Sequence, residues 1–361
     1  MGTAVKMRAL LDGQNAFYLQ PDYIEKTKRD FAQVEPLPAS YQWDTDYTIV
    51  RIAKQVFSIV VFPIAIYNTL HAVAACVGIL PSSYPALFMP WTADQLRPKI
   101  DLMNQWKYKR LTISVDGYQI DALMTGKIST LNNGKWFVVA NGNGTFYEAM
   151  TFDDNFKELI TATRANALFF NYNGVGASNG WPNRYVMAKA HRAMLAFLAD
   201  QENGIGAKEI IGYGHSIGGG NQGDALYGHE LAKDVKYVFI KSRTFSDLSM
   251  IVTDLTHRIL GILVWVLGWN MSSIESSRQL AAPEIIMQTA AVAHYEELID
   301  SAKIIDDGII TAKASLGKAV LDDPSIPKKN KIVIGVPERH NDPLSNIPFL
   351  AQKIDELLRQ G

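Results

Sequence analysis

From about residue 108 onward the chain alternates short apolar runs with stretches of helical period. Residues 110–115 and 118–124 flank Asp116-Gly117, a pair suited to a tight reversal, and predict a β-hairpin. Six further runs follow, at 136–140, 167–171, 209–212, 237–240, 284–288 and 331–336. They are rich in Val, Ile and Phe and apolar without alternation, as strands covered on both faces are. Helical patterns lie between several of them. Residues 186–198 place Met187, Ala190, Met194, Leu195 and Leu198 on one stripe, and 217–231 and 347–358 read as further helices. The hairpin and six parallel candidates predict a doubly wound α/β fold with a mostly parallel, eight-stranded sheet.

Two other apolar segments do not fit that alternation. Residues 56–80 run for 25 positions without a formal charge, long enough to cross a bilayer. Arg51 and Lys54 precede them, which would leave the N-terminal end of a span on the cytoplasmic side. Pro63, Asn68, Thr69 and His71 sit near the centre, where polar groups are costly in hydrocarbon. Three readings stay open: a hairpin associated with the membrane surface, a buried pair of helices, or a true span. The run begins after more than fifty residues, unlike a cleaved signal peptide. The second segment, 259–269, carries Trp265 and Trp269 and falls between two strand candidates. It suits a lid over an apolar pocket, a surface meeting lipid, or a helix buried on the sheet.

Composition removes several function classes. Net charge is −1 with Lys and Arg scattered, so no basic footprint points to nucleic acid. The single cysteine, Cys76, excludes an internal disulfide framework and a thiolate zinc site. The seven histidines form no HExxH-type pair.

The candidate chemistry centres on Gly214-His215-Ser216-Ile217-Gly218, between the 209–212 run and a helical stretch. This is the sequence form of a nucleophile elbow. A sharp strand-to-helix turn lifts the serine hydroxyl clear of the sheet, and glycines two before and two after remove side chains that would collide. The helix start, with free N–H groups, then faces whatever negative charge develops there. A serine hydroxyl needs a base within hydrogen-bond reach and a group that orients the base.

Residues 108–361 resemble the α/β-hydrolase superfamily, and several motifs carry the likeness. The elbow follows the third parallel-strand candidate. Ala140-Asn141-Gly142-Asn143-Gly144-Thr145 is similar to the family's His-Gly-x loop, with Asn141 where many relatives have histidine. The stretch from Asn171 to Gly180 (NYNGVGASNG) is similar to the family's Tyr-x-Gly-x-Gly-x-Ser-x-Gly loop. Within the superfamily the chain looks nearest to membrane-associated, lipase- or esterase-like serine hydrolases and related hydrolases of intracellular bacterial pathogens. The end of the apolar segment (Ile79-Leu80-Pro81-Ser82-Ser83), the Phe170-to-Gly176 loop and His340-Asn341-Asp342 suggest this.

The resemblance implies a nucleophile Ser216, then an acid, then a histidine in chain order. His340 follows the last strand candidate and precedes the last helix, where the family places its base. His229 lies on the helix leaving the elbow, His257 opens an apolar segment, and His294 falls where the acid belongs. The loop after 284–288 offers Glu296, Glu297, Asp300, Asp306 and Asp307. Asp307, before Gly308-Ile309-Ile310, matches the family pattern best, Asp306 beside it nearly as well, and Asp342 follows the wrong strand. The oxyanion hole would be the N–H of Ile217 and one from Asn143.

The implied function is hydrolysis of carboxylic esters through an acyl-enzyme, with lipid or long-chain esters favoured by the two apolar segments. No metal or organic cofactor is expected. A membrane surface is the expected partner besides a small-molecule or lipid ester; nucleic acid is not. A peptidase or acyltransferase on the same fold, or a non-catalytic binding protein, remain the alternatives. Residues 1–107 form an N-terminal extension and 108–361 the catalytic domain, with an inserted lid at about 246–282. The location fits membrane association or a cytoplasmic or secreted effector.

Overall fold

The computed structural model describes residues 3–5, 40–44, 49–50, 52–53, 56–57, 61–83, 92–96, 106–150 and 153–360. Most of the expected extension 1–107 therefore lies outside the described residues. The chain divides into two units. One comprises Met1–Asn132, Asn143–Phe152 and Leu168–Gly206, the other Asn133–Gly142, Asp153–Ala167 and Ala207–Gly361.

In the first unit, β1 (Thr3–Val5) pairs antiparallel with β2 (Ser40–Asp44). Strand β2 runs parallel to β3 (Trp106–Val115), which forms the expected hairpin with β4 (Tyr118–Lys127). Asp116 and Gly117 both take positive φ, 48° and 85°, the conformation of a type I′ turn. It sets the register, Val115 opposite Tyr118, and so sends Ile113 and Ile120 inward. Helix α1 (Phe62–Ala74) has Pro63 in its first turn, where a missing N–H costs nothing, and runs into a π-helical turn at Ala75–Ile79. It falls within the expected segment 56–80, of which residues 58–60 lie outside the described ones. Among the described residues no helix is long and apolar enough to cross a membrane, so a true span is not met. Thirteen residues at about 1.5 Å each reach only about two thirds of a ~30 Å hydrocarbon core. Helix α2 (Arg184–Ala199) starts at Asn183, whose side-chain oxygen accepts the N–H groups of Tyr185 and Val186. Its five expected stripe residues are all buried.

After β5 (Lys135–Ala140) and β6 (Asn166–Phe170), within which the unit boundary falls, the second unit adds β7 (Glu209–His215), β8 (Lys236–Ser242), β9 (Glu284–Thr289), β10 (Glu296–Glu297) and β11 (Lys331–Val336). Its strands lie in the order β5-β7-β8-β9-β11-β10. Neighbours are parallel from β5 to β11, and only β10 is antiparallel, to β11. The uninterrupted apolar runs are buried along almost their whole length, as parallel strands covered on both faces must be.

The expected eight strands are present, but the sheet is not a clean eight-stranded one. Strands β1, β2 and β10 add to it; at three and two residues β1 and β10 are too short for period to reveal, whereas β2 alternates, with Tyr41 and Trp43 buried and Gln42 exposed. Helix α3 (Ile217–Leu226) is shorter than the expected 217–231. The chain turns extended at Tyr227 and left-handed at Gly228 (φ 64°), which ends the helix. Within 246–282 stand α4 (Leu248–Leu255), α5 (Arg258–Val266) and α6 (Ser273–Gln279). Next come α7 (Leu316–Asp322) and the strongly amphipathic α8 (Ile347–Gln360), which buries Ile347, Leu350, Ile354 and Leu358.

Candidate active site

Ser216 sits between the end of β7 and the start of α3 with φ 55° and ψ −122°. A non-glycine residue there carries strain of about 1–3 kcal/mol, which the surroundings must over-determine. They do. The Ser216 N–H donates to Ser242 O at 3.0 Å, and its carbonyl accepts Gly219 N–H at 3.0 Å and Thr244 Oγ1 at 2.7 Å. A Cβ on Gly214 would lie 2.6 Å from Gly218 O, and one on Gly218 only 2.2 Å from Ala140 O. Only bare backbone lets strand, turn and the end of β5 approach so closely.

The serine hydroxyl meets His340. Its Oγ lies 3.0 Å from His340 Nε2, and His340 Nδ1 lies 2.8 Å from Asp307 Oδ2. A carboxylate can only accept, so the ring proton belongs on Nδ1 and Nε2 is left to accept from the hydroxyl. Asp307 is itself immobilised. Its Oδ1 accepts Ile309 N–H at 2.9 Å and Ile310 N–H at 2.6 Å, across a turn that Gly308 permits at φ 99°. Its carbonyl accepts the His340 N–H at 3.0 Å. All three side chains are at least nine-tenths buried.

The remaining sequence candidates lie elsewhere. Asp306 is exposed and accepts Ala312 N–H, while Asp300 caps a short 3-10 turn and Asp342 accepts Arg339 N–H. His257 caps α5 through Ile259 N–H, His294 is exposed and His229 half-buried. Glu296 pairs with Lys303 and Glu297 with Lys353. The Ile217 N–H, first of α3, meets no acceptor among the described residues. Asn143 belongs to the first unit, where its carbonyl accepts Ser82 N–H at 3.3 Å. The Gly-rich loop after β6 is pinned within that unit: Ser178 Oγ donates to Asn171 O and accepts Asp121 N–H, and the Asn171 amide holds Tyr147 N–H and Glu148. Among the described residues no cluster of three or more His, Cys, Asp or Glu is placed to hold a metal.

The model of the family described as Chlamydia CHLPS protein (DUF818) matches residues 43–358. The chain belongs to this family. No curated protein matches the sequence. Among solved structures it is similar to an α/β-hydrolase from Vibrio vulnificus at 17% identity and TM-score 0.39, covering 50% of this chain and 63% of that one. That is less than two thirds of the Vibrio chain. An esterase of Pyrococcus furiosus is similar at 13% identity and TM-score 0.49, covering 75% of this chain and 94% of that one. An esterase from Rhodococcus gives 14%, 0.45, 70% and 98%. The CHLPS match takes in Ser216, Asp307 and His340 together.

Three further residues stand at the site without a sequence motif to mark them. His215, beside the nucleophile candidate, has its ring 5.0 Å from that of His340 and an enclosed Nδ1 without a partner. Burial first, then the charges of Arg243 and His340, hold its pKa well below the usual histidine value. Arg243, just past β8, is 4% exposed and has φ 46°. Glu338, two residues before His340, accepts the Tyr295 hydroxyl at 2.9 Å and Ser345 N–H at 2.8 Å. The available signal was position: Arg243 leaves the carboxyl end of a parallel strand, where sites in such sheets gather.

Proposed function

We propose that this CHLPS-family protein is a serine hydrolase of carboxylic esters, with Ser216 as nucleophile, His340 as base and Asp307 as the group that orients it. The observation that carries this reading is the unbroken run of contacts from a strained serine through an imidazole to a buried carboxylate, at 3.0 and 2.8 Å. Ser216 Oγ attacks the ester carbonyl while its proton passes to His340 Nε2, and Asp307 stabilises the imidazolium. The imidazolium returns that proton to the leaving alcohol as the C–O bond breaks. Water, giving its proton to the same nitrogen, then releases the acid. The unsatisfied Ile217 N–H is assigned to the developing oxyanion. Each such donor contributes about 3 kcal/mol in the transition state.

The acyl group is proposed to be long and apolar. Helix α5 supports this: Ile259 and Trp265 are 62% and 66% exposed, and Leu260, Ile262 and Leu263 are exposed as well. A lid or lipid-facing surface needs such a face.

The test is hydrolysis of a p-nitrophenyl ester by Ser216→Ala together with fluorophosphonate labelling of the native chain. Labelling at Ser216 and loss of activity at unchanged melting temperature are expected. A folded Ser216→Ala protein that keeps more than a few per cent of activity rules the assignment out, because the residual expected without a nucleophile is far smaller.

A further inference from the structure

Arg243 is a buried cation that the proposed reaction does not consume. Among the described residues no carboxylate lies within ion-pair distance of it. Such a charge is expensive to bury unless hydrogen bonds carry it. Its Nη1 donates to two carbonyls, Arg339 O at 2.5 Å and Asp342 O at 2.6 Å, the short distances of charge-assisted bonds. These two carbonyls bracket His340 along the chain. The turn between them is closed by Asp342 N–H on Arg339 O at 3.1 Å and Arg339 N–H on Asp342 Oδ2 at 2.9 Å. Upstream, Thr289 Oγ1 holds Glu338 O at 2.7 Å. At its own root, the Arg243 backbone N–H donates to Met287 O at 2.8 Å, which ties its main chain to β9 as well as β8. His340 thus stands on backbone held from both sides, and Arg243 supplies the downstream hold.

We propose that Arg243 is a positioning residue: its guanidinium fixes the turn 339–342 so that His340 Nε2 lies at proton-transfer distance from Ser216. This rests on the assignment of Ser216, His340 and Asp307 above. A Gln amide also carries two N–H donors but ends two bonds short of Nη1, and a Lys ammonium ends one bond short. The permanent charge of Arg243 also disfavours protonation of the buried His215 of β7.

The experiment measures kcat and KM of the full chain on p-nitrophenyl butyrate at neutral pH. Native protein, Arg243→Gln, Arg243→Lys and Ser216→Ala are compared, with melting temperature as the check on folding. In Arg243→Gln, kcat is expected to fall about a hundredfold, as a misplaced group of about 1 Å does, with KM nearly unchanged. Arg243→Lys, which keeps a cationic donor, is expected to recover part of kcat. A folded Arg243→Gln with native kcat overturns the proposal, as does a loss that falls on KM and leaves kcat native. If Arg243→Gln does not fold, Arg243→Lys decides: reduced kcat at native KM supports the role, and native kcat overturns it. Activity retained in Ser216→Ala would instead sink the assignment of the nucleophile, a separate failure.

Discussion

At the residue scale the acids offer a clean contrast. Asp307 and Asp306 are adjacent in sequence, yet only Asp307 reaches His340 and only Asp306 faces solvent. Asp307→Asn puts an amide where an acceptor is needed and favours the wrong imidazole tautomer. It should lower kcat by roughly 10³–10⁴, while Asp306→Asn, whose remaining oxygen still accepts Ala312 N–H, should stay near native. Kinetics of the two variants on one ester check this; equal losses would move the orienting role elsewhere. His215 makes a prediction about stability. Its imidazole binds a proton less tightly when folded than when unfolded. Its contribution is therefore full above the ordinary histidine pKa of about 6.5 and is lost as pH falls below it. Denaturant midpoints from pH 7 down to about 5 should fall less steeply in His215→Gln than in the native chain. Parallel curves would show that His215 is not held neutral.

At the element scale the elbow depends on close approach of backbones. Gly218→Ala forces a Cβ to within 2.2 Å of Ala140 O, backbone that cannot give way without moving the end of β5. A loss of at least about 1–3 kcal/mol is expected, measured by urea denaturation. A second joint ties β8, β9 and α6. Lys241 Nζ, with no exposed surface, lies 2.7 Å from Glu284 Oε1 and donates to Ser276 Oγ, Ser277 Oγ and Ser273 O. Glu284→Ala leaves the ammonium uncompensated and should cost about 3–5 kcal/mol, whereas replacing both partners with apolar residues should cost less. The single and double variants together decide whether the pair acts as a unit.

For the whole molecule the question is what meets the apolar face of α5. Each buried CH₂ of an acyl chain is worth about 0.8 kcal/mol, so kcat/KM should rise severalfold per methylene for as long as the chain finds apolar surface to cover it. Flotation with phosphatidylcholine vesicles should bring the protein up with the lipid, and Trp265→Ser with Ile259→Ser should weaken it. If acetyl esters are the best substrates and the protein stays with the soluble fraction, the preference for lipid esters fails while the esterase proposal stands.

Local sequence was enough for the hairpin and the parallel strands, because strand burial and turn chemistry are written in period and in Asp116-Gly117. It also singled out Ser216 as a candidate, since an elbow needs glycines at fixed offsets, while His340 entered through the resemblance, by its place after the last strand. Choosing Asp307 over Asp306 required the resemblance, and their separation came only with the turn at Gly308 that directs one carboxylate inward and the other out. The short strands β1 and β10 exist through their partners and leave no periodic trace. Arg243 was invisible for the same reason: nothing near it in sequence hints at the turn 339–342, almost a hundred residues away. Composition and spacing fix what one stretch of chain can become by itself. Which carbonyls, acids and imidazoles share a site is decided by contacts between distant residues, and those exist only once the sheet has formed.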